Sequence, residues 1–108
     1  MGGLRPIPVR LLPDVMSVRV PLEDGTLAEP VTISRVRFQR VQSICDDAHR
    51  AADAGAGKVF VDAVSSGGAF EVPAGSRVTI GGNTYLVAGC TRCEDFNGHI
   101  HHWELDVR

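Results

Sequence analysis

Five residues near the C-terminal end have the types that bind a soft metal. Cys90 and Cys93 stand in a Cys-Thr-Arg-Cys pair, and His99, His101 and His102 follow within nine residues. A CxxC knuckle with two later imidazoles offers zinc the four N/S ligands of a tetrahedron. The set would be Cys90, Cys93, His99 and His101, because His99 and His101 share a strand face while alternation sends His101 and His102 to opposite faces. The spacing between the two pairs is shorter than such sites commonly show. In the competing reading Cys90 is a small core residue, Cys93 sits in a loop, and His101 packs beside Trp103, Leu105 and Val107. No metal or other cofactor then follows. A redox CxxC normally opens a helix in a βαβ setting, which this stretch does not offer.

Other chemistry is less well supported. Cys45 and His49 would share a helix face, but one pair is half a metal site. Gly55-Ala56-Gly57-Lys58 resembles a phosphate loop only at its end, because Ala52 stands where the first Gly belongs and Val59 where Ser or Thr belongs. No pair of acids stands out as an acid–base couple, and no Ser-His-Asp grouping emerges. The sequence points away from an enzyme.

The elements that would carry these residues are strands. Residues 77–80, 84–90 and 99–107 alternate between apolar and other residues, the period of a strand with one buried face. Gly81-Gly82-Asn83 reads as a tight hairpin between the first two, and 91–98 separates the last two. Upstream, 14–20 is a strand candidate ended by Pro21, and Glu23-Asp24-Gly25 is a turn at a hairpin tip. In 31–42 the apolar parity switches at Ser34-Arg35, which predicts a bulge of the kind that curls a sheet into a barrel. Arg35 and Arg37 then project from the face opposite Phe38, with Arg40 close by. No acid lies between Val31 and Cys45, so these three form the local basic stripe, either a solvated face or a contact for phosphate or an acidic partner. Residues 58–65 are apolar on both parities except Asp62, as expected of a strand covered on both sides. The expected fold is all-β in the main: a small barrel of about six antiparallel strands, with a long inter-strand loop or short helix at 43–57.

Domain organisation follows. At 108 residues the chain is one domain of ordinary size, read as an extended arm over 1–13 and a barrel over 14–108 with the 43–57 insertion. Pro6, Pro8 and Pro13 forbid helix in the arm. Leu4, Ile7, Val9, Leu11 and Leu12, with Arg5 among them, make it apolar enough to lie on its own barrel or on a neighbouring subunit. A net charge of −2 provides no global basic field toward nucleic acid or membrane. No apolar run approaches the ~20 residues of a membrane span. The first 13 residues hold too little apolar sequence for a signal peptide, so the expected setting is intracellular or within an assembled particle, with the cysteines as free thiols.

Two stretches resemble one family when taken together. One is RPIPVRLL at 5–12. The other is 75–107, where GSRVTIGGNTYLVAGC and then HHWELDV follow in order. A proline-rich arm, a late glycine-bounded hairpin (Gly75, Val78, Ile80, Gly82, Tyr85) and a closing strand with His101, His102 and Trp103 resemble the minor capsid proteins of long-tailed phages, in the head-completion or stopper group. The likeness covers just under half the chain, and the middle matches only in being long and polar between two strands.

The resemblance implies a virion protein, made in the bacterial host's cytoplasm, that assembles as a homo-oligomeric ring in the phage neck. The ring would lie between a portal or adaptor protein and a tail protein, and would hold packaged double-stranded DNA without a membrane partner. It also implies a channel loop at 43–57, with Ser43, Asp46, Asp47, His49, Arg50, Asp53, Gly55 and Gly57 as gating residues. Acids near DNA repel it, so closure would be steric. Arg35, Arg37 and Arg40 would contact DNA or an adjoining ring. Deleting 48–55 is expected to leave the barrel folded and give particles that leak DNA. Particles that hold their genome normally would remove the gate assignment. Two alternatives differ in class: another neck or tail ring such as a tail terminator, and a zinc-binding adaptor module built on Cys90, Cys93, His99 and His101.

Overall fold

The computed structural model of the chain describes residues 5–40 and 57–108. Six strands form a closed antiparallel barrel: β1 (Asp14–Arg19), β2 (Val31–Arg40), β3 (Gly57–Asp62), β4 (Arg77–Ile80), β5 (Asn83–Glu94) and β6 (Ile100–Val107). Their order around the barrel is β1-β2-β3-β6-β5-β4, and β4 pairs back onto β1. The expected six-stranded barrel is therefore present. One 3-10 turn, Val9–Leu11, is the helical element among the described residues, and no helix there is long and apolar enough to cross a membrane.

Alternation builds the core. Met16 and Val18 of β1, Ile33 and Val36 of β2, Val59 and Val61 of β3, Val78 and Ile80 of β4, Tyr85 and Val87 of β5, and Trp103, Leu105 and Val107 of β6 all point inward and are buried. The parity switch in β2 is a bulge. Asp14 pairs with Val36 and Val15 with Ser34, so Arg35 is the extra residue, and it takes a left-handed φ of 59°. That is why Ile33 and Val36, three apart, face the same interior. The late hairpin turns on Gly81 and Gly82 alone, with φ of 60° and 86°. Two positive φ angles are what a two-residue hairpin matched to strand twist requires, and Asn83 already pairs with Ile80.

Several boundaries differ from the sequence reading. β3 ends at Asp62, and Ala63, Val64 and Ser65, read as its last residues, form a turn in which the Val64 and Ser65 amides are capped by Asp62 Oδ2. β5 runs on to Glu94, so Cys90-Thr91-Arg92-Cys93 lies inside a strand and not in a knuckle loop. Thr91 and Arg92 broke the apolar alternation because both are exposed, yet they keep pairing with Glu104 and Trp103. Gly57 was grouped with the loop but opens β3, paired with Arg40 and Val107. A Cβ at Gly57 would stand 2.8 Å from the Gln39 carbonyl oxygen and 2.8 Å from Phe38 Cε1, so glycine allows the two strands to meet there. The other loop residues, from Ser43 to Gly55, lie outside the described residues.

β3 and β4 sit on opposite sides of the barrel, so the connection between them has to cross it. Residues 63–76 do so, laying Ala69, Phe70 and Val72 on the core. Glu71 fastens this crossing by accepting from Arg92 Nε (2.9 Å) and Nη2 (3.1 Å) and from Trp103 Nε1 (3.0 Å). These donors hold the Glu71 carboxyl below the usual glutamate range, with Arg92 the larger cause.

Candidate functional site

The arm lies across the outside of β2 and β3, and one buried acid anchors it. Asp62 is fully buried at the end of β3. Its Oδ1 accepts from the Ile7 amide at 2.9 Å, and its Oδ2 accepts from the amides of Val64 (2.9 Å) and Ser65 (2.8 Å). Three backbone donors are the kind of partner set that lets a carboxylate be buried. Ser65 Oγ donates back to the Ile7 carbonyl at 2.8 Å, and Arg37 Nη1 reaches the Leu11 carbonyl at 3.5 Å. The arm thus covers the Phe60–Asp62 end of the outer face of β3, while Lys58 at the other end stays exposed. Leu12 is buried, whereas Val9 and Leu11 remain 48% and 42% exposed. Ile7, Leu11, Leu12, Arg37, Gln39 and Phe60 line an open groove between arm and barrel. Leu4 lies outside the described residues.

The cation candidates separate. Arg37 points outward into the arm. Arg40 lies on the opposite side of β2, with its guanidinium 5.5 Å from the centre of the Phe38 ring and Nη2 3.3 Å from the Tyr85 hydroxyl. Arg35 is exposed at the bulge. The three do not form one stripe, because the bulge and the alternation of β2 aim them differently.

The four proposed zinc ligands are not gathered. Cys90 packs against the core, and Cys93, three residues on in the same strand, lies on the outer face beside Glu104. A single ion cannot bind sulfurs on the two faces of one strand. His99 is exposed in the turn, with Nδ1 4.0 Å from Asp95 Oδ2. Burial raises both thiols above the ordinary cysteine range. What the structure does bring together is Cys93, His102 and Glu104. His102 and Glu104 were absent from the proposed ligand set.

A closed barrel with an anchored arm and an apolar outer groove agrees with the resemblance noted above. A family model described as "Minor capsid protein" matches residues 10–107. The chain belongs to the minor capsid protein family. That match covers the middle of the chain and the C-terminal stretch, and takes in residues 10–12 of the arm stretch at 5–12. No curated protein and no solved structure matches it significantly. Membership makes this minor capsid protein a component of the virion with a structural role.

Sequence reasoning missed two features of this minor capsid protein. Asp62 was visible as the lone acid in an apolar strand, and that was the available signal. Its meaning depends on the Ile7 amide, 55 residues away. The meeting of His101 and His102, with Nδ1 atoms 2.8 Å apart, ran against strict alternation. His101 is the extra residue of a bulge, because Cys93 pairs with His102 while Glu94 pairs with Ile100. A bulge re-aims its side chain, and period-two reading cannot foresee that.

Proposed function

We propose that this minor capsid protein forms a homo-oligomeric ring in the neck of a long-tailed phage. It would act there as a head-closure or stopper ring between the portal or adaptor on the head side and a tail protein on the other, and would help retain packaged DNA. The half-covered arm is the observation that carries this reading. A barrel whose strands are all paired has no free edge to which a neighbour could add a strand. Association then falls to side-chain faces and to the arm. Val9, Leu11 and the groove beside them are apolar surface held in place by the Asp62 anchor. A closed ring needs head-to-tail contact between unlike surfaces, and this face supplies one of the two. Arg35 and Arg40, at the bulge and at the end of β2, are cations available to phosphate or to an acidic neighbour.

The test is the mass of the purified chain by light scattering or native mass spectrometry, alone and then with candidate portal-adaptor and tail proteins. Rings in either condition support the reading. Rings that form only on a partner would mark the arm face as an interface completed by that partner. A chain that stays monomeric with every neck partner would overturn it.

A further inference from the structure

We propose that Cys93, His102 and Glu104, on the outer face of β5 and β6, form a binding site for a divalent cation of the zinc class, with His101 as its positioning residue. The inference is independent of ring assembly.

Hydrogen-bond directions come first. The Arg5 carbonyl can only accept, and His101 Nε2 lies 2.6 Å from it, so His101 Nε2 carries a proton. In a neutral ring His101 Nδ1 is then an acceptor. Its partner at 2.8 Å, His102 Nδ1, must therefore be the donor. That leaves His102 Nε2 with its lone pair, and this atom faces Glu104 Oε2 at 3.0 Å. Two lone pairs at that distance require a cation between them, either a proton or a metal ion.

A third ligand atom favours the metal. Cys93 Sγ stands 3.6 Å from the same Glu104 oxygen and donates its S–H to it, and the three residues' ligand atoms all lie within 4.8 Å of one another. Once that thiol gives up its proton, a metal can gather sulfur, nitrogen and oxygen together, which a single proton cannot. Tetrahedral zinc with ordinary bond lengths holds N and O ligands about 3.3 Å apart and S and O ligands about 3.5 Å apart. Those two edges are nearly formed. Glu104 would bind through Oε2 alone, because Oε1 faces Lys58 Nζ at 3.7 Å, and Lys58 is itself held by Asp106 at 3.2 Å. Zinc with one thiolate, one carboxylate and one neutral imidazole is a net-neutral site, suited to side chains that are largely covered: His102 and Glu104 are 18% and 27% exposed. Binding would release two protons to solvent: the Cys93 thiol proton as the S–Zn bond forms, and the proton that His102 Nε2 and Glu104 Oε2 share without metal. The fourth position is left open.

The outer-shell arrangement also matches. A ligating histidine commonly donates its other ring nitrogen to a neighbour that fixes its tautomer. Here His102 donates to His101, which is fixed by the arm. The proposed site therefore shares His101 with the arm's docking.

The experiment uses the untagged, reduced full chain titrated with zinc by calorimetry and with cobalt(II) by absorption spectroscopy. About one ion per chain and a thiolate-to-cobalt charge-transfer band are expected. Cys93→Ser is expected to abolish the band. Cys93→Ser and His102→Gln are each expected to weaken zinc binding by more than the about 10- to 100-fold of an outer-shell partner. His101→Ala is expected to weaken it within that range while keeping the band, and all variants should retain the circular dichroism of the barrel. Absence of binding to the folded wild-type chain would overturn the proposal. So would binding of equal strength in Cys93→Ser and His102→Gln.

Discussion

Asp62→Ala is expected to destabilise the barrel by about 3–5 kcal/mol. The carboxylate is fully buried and accepts from three amides. Alanine would leave those donors unpaired, at about 1–3 kcal/mol each, with the sum reduced as the arm lifts and water reaches them. Ser66 is a separate tie that the substitution leaves in place: its Oγ accepts from the backbone amide of residue 62 and donates to the Arg35 carbonyl, joining this corner to the β2 bulge. Asp62→Asn should recover part of the loss, because one oxygen can still accept while the amide nitrogen opposes the remaining donors. Denaturant unfolding measures the stability, and hydrogen exchange at Ile7 reports arm release. A loss below about 1 kcal/mol, with Ile7 still protected, would refute the anchor role.

Assembly should respond to a change that leaves the barrel folded. Val9 and Leu11 are each close to half exposed, so Val9→Ser with Leu11→Ser should cost the monomer about 0.7–1.5 kcal/mol per site for the half already covered, a loss that denaturant unfolding of the monomer measures separately. If these side chains complete their burial against a neighbour, each loses roughly half of the ~1.5–3 kcal/mol of a fully buried aliphatic group. Together they would weaken each contact about 10- to 100-fold, at 1.4 kcal/mol per tenfold. A ring repeats that contact at every subunit, so assembly at a fixed concentration should fail. The same mass measurement used for the wild-type chain, with the same partners, reads the result. Rings that form as readily from the double variant would move the interface away from the arm.

These two predictions draw on different kinds of information. The apolar arm, the strand positions, the glycine hairpin and the bulge after Ser34 are legible along the chain. Proline restricts φ, Gly-Gly permits it, and a period of two records which residues share a face. Each is a local steric property or a pattern of burial repeated every second residue. Closure is different: β4 returns to β1, and β3 meets β6 across 40 residues at Asp62–His102 and 50 at Gly57–Val107. No spacing rule announces such pairings.

The same distinction applies to the sites. Cys90 and Cys93 are close in sequence but are divided by the two faces of β5. Cys93, His102 and Glu104 come from two strands, and antiparallel register brings them together. Asp62 is an acid in an apolar run until the arm delivers the Ile7 amide to it. Side-chain type and backbone torsion are local and can be read in order along the chain. The partner that satisfies a buried charge, and the face a bulged residue turns to, depend on long-range pairing that exists only once the barrel has closed.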